Sequence, residues 1–273
     1  MKIKPFLRWA GGKQNIVDEM LINVPEATVI NTYIEPFIGA GSLYFSSEFS
    51  NAIISDINPQ LVNSYNSIKL DYLKVHNLLQ KYGQEFKKNP DFYYKLRHSF
   101  NLNKNTFNYI QAARFIFLIH SNYNGMYRVN KSGNYNVPVG KLNPSLPSLL
   151  QLEAVYKKMS NTTIQCSDYK LVMKSVGSGD FVYLDPPYPP FDWANPQNQY
   201  TINGFKKEDH EMLAEVANKL RNRSDCFLLI SYPDTSFVRD LYKGWDIVTL
   251  DTVRSISGRK ERKKVSEVLI KNY

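Results

Sequence analysis

The sequence predicts an α/β fold: a mostly parallel sheet with helices on both faces, interrupted by a mainly helical insertion. Three observations carry that expectation. Short apolar runs alternate with segments of helical period between residues 29 and 271, the pattern of strands joined by crossover helices. One strand-to-helix turn, Pro36-Phe37-Ile38-Gly39-Ala40-Gly41, is glycine-rich. From about residue 80 to 145 the alternation yields to a basic stretch dense in Asn and Tyr. The expected division is therefore a sheet domain of residues 1–80 and 145–273 around an insertion of residues 81–144.

Residues 29–35 read as the first strand, and the glycine turn leads into a helix start at residues 42–47. Residues 52–55 form a second strand ending at Asp56, after which Asn58 is an N-cap and Pro59 the first helical residue. Leu61, Val62, Tyr65, Ile68, Tyr72, Val75 and Leu79 follow at helical spacing. In the insertion, residues 112–119 are strongly apolar and helical, and residues 123–147, rich in Asn, Gly and Pro, read as loop and hairpin. The alternation resumes with strands at residues 163–166 and 181–184 and a polar loop at 189–204. A helix at 206–220, a strand at 227–231, a helix at 236–242 and a terminal strand at 266–271 complete it.

A chain of 273 residues can bury a full core. Its net charge of +9 is unevenly placed. Residues 87–141 carry nine Lys or Arg against Asp91 alone, and residues 254–264 carry six against Glu261, so the remainder is net negative. Positive charge gathered in two segments suits a polyanion, nucleic acid above all, although two solvated basic faces would look the same. No run approaches the ~18 apolar residues of a membrane span, and the first residues lack the apolar core of a signal peptide. Cys166 and Cys226 form no metal-ligand or disulfide pattern, so a cytoplasmic protein with reduced thiols and no metal is expected.

Asp185-Pro186-Pro187-Tyr188 closes the apolar strand at residues 181–184. A carboxylate and a proline carbonyl can accept both hydrogens of an exocyclic amine, and the Tyr ring can stack on the base bearing it. A Pro-rich turn ending a strand explains the tetrapeptide equally well. Glu35-Pro36-Phe37-Ile38-Gly39-Ala40-Gly41, with Asp56 ending the next strand, suits a nucleoside whose ribose hydroxyls meet the acid. The third glycine of a dinucleotide fingerprint is missing, which favours an adenosine without phosphates, such as S-adenosylmethionine. A tight turn that merely needs glycine is the alternative. Phe6-Leu7-Arg8-Trp9-Ala10-Gly11-Gly12-Lys13 could grip a ligand with an aromatic part and a carboxylate, or simply pack a Trp on the core. Tyr123-Asn124-Gly125-Met126-Tyr127-Arg128 and the Pro138 segment offer groups suited to base edges and a Tyr able to fill the gap left by a flipped base, or an ordinary polar hairpin.

Taken together, these segments resemble the Dam-type DNA adenine-N6 methyltransferases, which methylate adenine in GATC. The match also includes Asp56-Ile57-Asn58, Asn136-Val137-Pro138, and Arg254-Ser255-Ile256-Ser257 with Arg262-Lys263-Lys264, all in the family's order. The resemblance implies a Rossmann-like methyltransferase sheet, an inserted DNA-recognition domain with a β-hairpin, and S-adenosylmethionine as methyl donor, leaving S-adenosylhomocysteine. It implies that Trp9, Lys13, Glu35, Phe37, Gly39, Gly41, Asp56, Asp168 and Asp185 line the donor pocket. Asp185, Pro186, Pro187 and Tyr188 would hold the adenine, and Arg8, Tyr123, Asn124, Met126, Arg128 and Pro138 would face double-stranded DNA. Arg8 stands where many members have Lys, and residues 189–203 lack the usual Ser/Thr-rich sequence. A prokaryotic or phage protein, monomeric or weakly dimeric, is expected, either solitary or paired with a restriction endonuclease. Methylation of an RNA base or a protein glutamine amide is the competing expectation, and a silent DNA-binding module the third.

Overall fold

The computed structural model describes residues 2–141, 143–190, 205–223, 225–250 and 266–273. Its seven strands are β1 (Tyr33–Glu35), β2 (Ala52–Asp56), β3 (Thr162–Cys166), β4 (Phe181–Leu184), β5 (Phe227–Pro233), β6 (Asp246–Leu250) and β7 (Glu267–Lys271). They form one sheet in the order β3-β2-β1-β4-β5-β7-β6. β1 to β5 run parallel, while β7 enters antiparallel between β5 and β6. This is the Rossmann-like methyltransferase architecture that the resemblance implies.

Helices α1 (Val17–Ile22), α2 (Ser42–Ser46), α3 (Pro59–Lys88), α4 (Phe92–Leu102), α5 (Tyr109–Ser121) and α6 (Leu149–Lys158) are followed by α7 (Tyr169–Met173), α8 (Lys207–Arg223) and α9 (Ser236–Leu241). Side chains alternate across a strand, so the sheet feeds two cores. Tyr33, Ile54, Phe181, Tyr183 and Leu229 join Leu43, Phe45, Tyr65 and Phe115 on one face. Ile34, Val182, Leu184 and Ile230 join Val172, Leu213, Ala217 and Tyr242 on the other. Burying each such side chain contributes about 1.5–3 kcal/mol before chain entropy is subtracted.

Asn58 caps α3 as expected, its Oδ1 accepting from the Gln60 and Leu61 amides at 3.0 and 3.3 Å, a contact contributing ~1 kcal/mol. The helix is interrupted at Asp71 (φ −158°, ψ 83°), whose Oδ1 accepts from the Lys74 amide at 3.0 Å and so restarts it. α3 continues past residue 80 without another break, so the division between residues 80 and 81 falls inside a helix.

The first strand is shorter than the expected residues 29–35. Ala27–Val29 forms a 3-10 turn, closed by the Val29 amide donating to the Glu26 carbonyl at 3.1 Å, and Val29 is exposed. The expected hairpin is thinly bridged: Asn122 pairs with Val139 and Val129 with Tyr135. Asn130 closes its tip, its Oδ1 accepting from the Ser132 and Asn134 amides at 3.0 Å each. The basic segment at 254–264 and most of the 189–204 loop lie outside the described residues.

Candidate active site

The chain moves outward from β1 to β2 and β3 in one direction, and from β4 to β5 in the other. That order reverses at the carboxyl ends of β1 and β4, the place where ligands of open α/β sheets bind. Glu35 ends β1, and Asp185 directly follows β4.

Asp185 is held by two neighbours distant in sequence. The Lys13 ammonium donates to Oδ1 at 2.6 Å and Oδ2 at 2.5 Å, and to the Gly11 carbonyl at 2.9 Å. Lys13 is 2% exposed and Asp185 20%, so the pair is largely desolvated. Ser231 on β5 adds a third hydrogen bond, its hydroxyl donating to Oδ1 at 2.9 Å, and itself lies 3.0 Å from the Tyr183 hydroxyl. A carboxylate has about four acceptor positions. These three bonds leave Oδ2 room for one further donor. Sequence reasoning named Lys13 and Asp185 separately and missed their pairing; it missed Ser231 altogether.

The N-terminal segment bringing Lys13 here is tied down along its length. His120 at the end of α5 lies 2.9 Å from the Phe6 carbonyl, and Gln151 donates to the Lys4 and Pro5 carbonyls at 3.1 and 2.8 Å. Burial pushes the His120 pKa down, which favours the neutral ring with its proton on Nε2.

Between β1 and α2 the chain turns through Gly39 (φ 47°) and Gly41 (φ 70°), a region that side-chain-bearing residues rarely adopt. A Cβ on Gly39 would lie 3.0 Å from Trp9 Cδ1, so the glycine lets the indole cover the turn. Trp9 also stacks on Tyr127, with ring centroids 5.8 Å apart. Asp56 faces the same turn: its Oδ2 accepts from the Gly39 amide at 3.3 Å and its Oδ1 from the Asn58 amide at 2.9 Å. Burial raises its pKa to about 6, against the opposing effect of those amides. Glu35 is buried, its Oε2 accepting from the Tyr33 hydroxyl at 2.7 Å. Its pKa lies well above the usual carboxylate range because burial outweighs that hydrogen bond and the nearby Lys13 charge. Phe37 packs against Tyr169, and Asp168 caps α7 by accepting from the Lys170 amide at 2.8 Å. The structure thus gathers Lys13, Glu35, Gly39, Asp56 and Asp185 along the sheet edge, while Trp9, Phe37 and Asp168 pack around it.

Pro186 is buried, and Pro187 and Tyr188 are half-buried. The Lys13 ammonium lies 4.8 Å from the Tyr188 ring centroid. Glu267, buried at the start of β7, accepts from the Tyr188 hydroxyl at 3.2 Å. The ring also stacks loosely on Tyr232 at 6.2 Å. Ser231 lies within the apolar run of β5 and Glu267 at the start of β7, and neither belongs to a recognisable motif.

The N-terminal segment and the hairpin bring several of the residues expected to face DNA close together. A Cβ on Gly125 would lie 3.3 Å from the Arg8 Cβ, so the N-terminal segment abuts the start of the hairpin. Tyr123 is exposed, and its amide donates to the Pro138 carbonyl at 3.0 Å. Asn124 adopts a left-handed backbone (φ 61°), and the Met126 carbonyl accepts from Asn122 Nδ2 at 2.5 Å. Arg128, also exposed, donates from Nε to Asn136 Oδ1 at 2.9 Å. Among the described residues no group of three or more His, Cys, Asp or Glu side chains could hold a metal ion, and no helix is long and apolar enough to cross a membrane.

Residues 9–256 match the family described as D12 class N6 adenine-specific DNA methyltransferase. The type II methyltransferase M.MjaIII of Methanocaldococcus jannaschii is 37% identical to this chain, with all of both sequences covered. A DNA adenine methylase of Serratia marcescens is 35% identical over 98% of each chain. One from Vibrio cholerae is 31% identical over 98% of this chain and 95% of its own. Sheet order, glycine turn, acids at the strand ends and near-complete sequence coverage agree, and the chain belongs to the D12 class of N6 adenine-specific DNA methyltransferases.

Proposed function

We propose that this enzyme methylates N6 of an adenine flipped out of double-stranded DNA, within GATC, using Asp185-Pro186-Pro187-Tyr188 as the amine and base holder. The observation carrying this reading is Asp185 itself. It stands at the switch point as a carboxylate fixed by Lys13 and Ser231, with one acceptor position left on Oδ2.

The adenine N6 lone pair is delocalised into the ring, so the amine is a weak nucleophile. Asp185 Oδ2 accepts one N6 hydrogen and the Pro186 carbonyl the other, which concentrates the lone pair on nitrogen and aims it. Tyr188, oriented through its hydroxyl by Glu267, supplies a stacking face for the base. This sheet edge suits S-adenosylmethionine. Gly39 lets the Trp9 indole pack on the turn, and Asp56 offers a carboxylate for ribose hydroxyls. When bound, the donor would supply a methyl group activated by the positive sulfur; the N6–C bond would form as the S–C bond breaks, with S-adenosylhomocysteine leaving and one N6 proton passing to Asp185 or to solvent. Trp9, Lys13, Glu35, Phe37, Gly39, Gly41, Asp56, Asp168 and Asp185 would surround the donor, and Lys13 holds the Asp185 carboxyl group in place.

Arg8, Tyr123, Asn124, Met126, Arg128 and Pro138 would meet the duplex, with residues 81–144 as the recognition domain. The type II relative supports pairing with a restriction endonuclease, and the bacterial and archaeal relatives support a cytoplasmic setting. Incubation with labelled S-adenosylmethionine and duplexes with and without GATC tests the reading. Label is expected only in the GATC duplex, as N6-methyladenine. Equal label in both duplexes would overturn the specificity, and label on another atom the mechanism.

A further inference from the structure

The hairpin makes few ladder bonds of its own, and its register is set from outside. Tyr93, Arg97 and Asn101 lie four residues apart on α4, hence on one stripe of the helix. All three reach hairpin backbone. The Tyr93 hydroxyl and Arg97 Nη1 donate to the Val137 carbonyl at 2.9 and 3.0 Å. Asn101 bonds Tyr135 in both directions: its Nδ2 donates to the carbonyl at 3.0 Å and its Oδ1 accepts from the amide at 2.8 Å. Past the helix end, Lys104 donates to the Ser132 carbonyl at 2.7 Å.

Bonds to residues 135 and 137 alternate as those from a neighbouring strand would. They keep Tyr135 and Val137 buried and leave Pro138 exposed. Tyr135 passes the constraint on: its hydroxyl accepts from Asn122 Nδ2 at 2.5 Å and donates to the Met126 carbonyl at 3.5 Å. A one-residue slip would turn every side chain of this segment to the opposite side.

We propose that α4 serves as a surrogate strand fixing the recognition hairpin, with Asn101 as the positioning residue that sets sequence specificity without touching DNA. This rests on the reading of the hairpin as the DNA-facing element. Arg97 therefore acts inward on the Val137 carbonyl, although by sequence it counts toward the basic face.

The test maps N6-methyladenine across plasmid DNA treated with wild-type protein, with N101A and with Y93F. Circular dichroism and S-adenosylmethionine binding confirm that each variant is folded. Removing both Asn101 contacts is expected to lower the ratio of methylation at cognate over one-base-mismatched sites by about tenfold or more, the discrimination of one base contact. Y93F, which keeps the Arg97 bond, is expected to show the same relaxed pattern at smaller amplitude, and it decides the matter if N101A fails to fold. Unchanged site choice with a uniformly lower rate would overturn the proposal and leave the function intact. A wild-type protein that methylates no DNA would overturn the function itself and the proposal with it.

Discussion

Replacing Lys13 with methionine removes the ammonium and keeps most of the side chain's apolar volume. The pair it breaks is desolvated, with Lys13 2% and Asp185 20% exposed and N–O distances of 2.5 and 2.6 Å. Removing one partner of such a pair costs about 3–5 kcal/mol, chiefly because the other charge is left buried alone. Asp185 keeps the Ser231 hydroxyl and some solvent contact, so the lower end applies, ~3 kcal/mol. For a chain of this size that corresponds to a melting temperature lower by about 6–12 °C. Asp185→Asn is expected to cost a similar amount by stranding the Lys13 charge. The double variant K13M/D185N strands neither, so its loss should fall well short of the sum. Thermal unfolding of the four proteins closes the cycle, and a coupling of about 2 kcal/mol or more is expected. Losses that add within about 0.5 kcal/mol would refute the claim that Lys13 serves to hold Asp185.

Ser231→Ala removes the hydroxyl donor to Asp185 and the neighbour of the Tyr183 hydroxyl. Stability should fall by about 1–2 kcal/mol and single-turnover methyl transfer by about tenfold, with donor affinity by calorimetry unchanged. An unaltered transfer rate would remove Ser231 from the site. Asp56 should give S-adenosylmethionine binding a pH dependence. Its pKa near 6 means that the acceptor form is lost as pH drops, so affinity measured by calorimetry should weaken from pH 7 to pH 5. The linked stability of the unliganded protein has the opposite sense. A folded-state pKa raised from 3.8 to about 6 gives a contribution complete below 3.8 and lost as pH rises past 6. Asp56→Asn should flatten both dependences, and a wild-type pH profile in that variant would contradict the assignment.

The strands legible in the sequence were those whose apolar runs sit between polar turns, β2, β4 and β5 among them. β6 was missed because Asp246-Ile247-Val248-Thr249-Leu250 is a half-exposed edge with little apolar contrast. The first strand was overextended because Val29 and Ile30 are apolar, whereas a 3-10 turn and solvent hold that segment. α4 escaped notice because Tyr93, Leu96 and Phe100 are buried among Lys, Arg and Asn, and its polar stripe works on backbone rather than in water. In the site, local motifs located the glycine turn, the acid ending β2 and the acid following β4. The Lys13–Asp185 pair joins residues 172 apart in sequence, and no local pattern encodes which lysine folds onto which carboxylate. Ser231 and Glu267 were hidden for the same reason, since their partners are fixed by the sheet order.

Asp185 as the acceptor of the amine hydrogen is the central claim. Single-turnover transfer of labelled methyl groups to a GATC duplex by Asp185→Ala, beside wild type, tests it most directly, with folding checked by circular dichroism and donor binding by calorimetry. The predicted result is a folded, donor-binding protein whose transfer rate has fallen by about a hundredfold or more. Transfer at a near-wild-type rate would contradict the account.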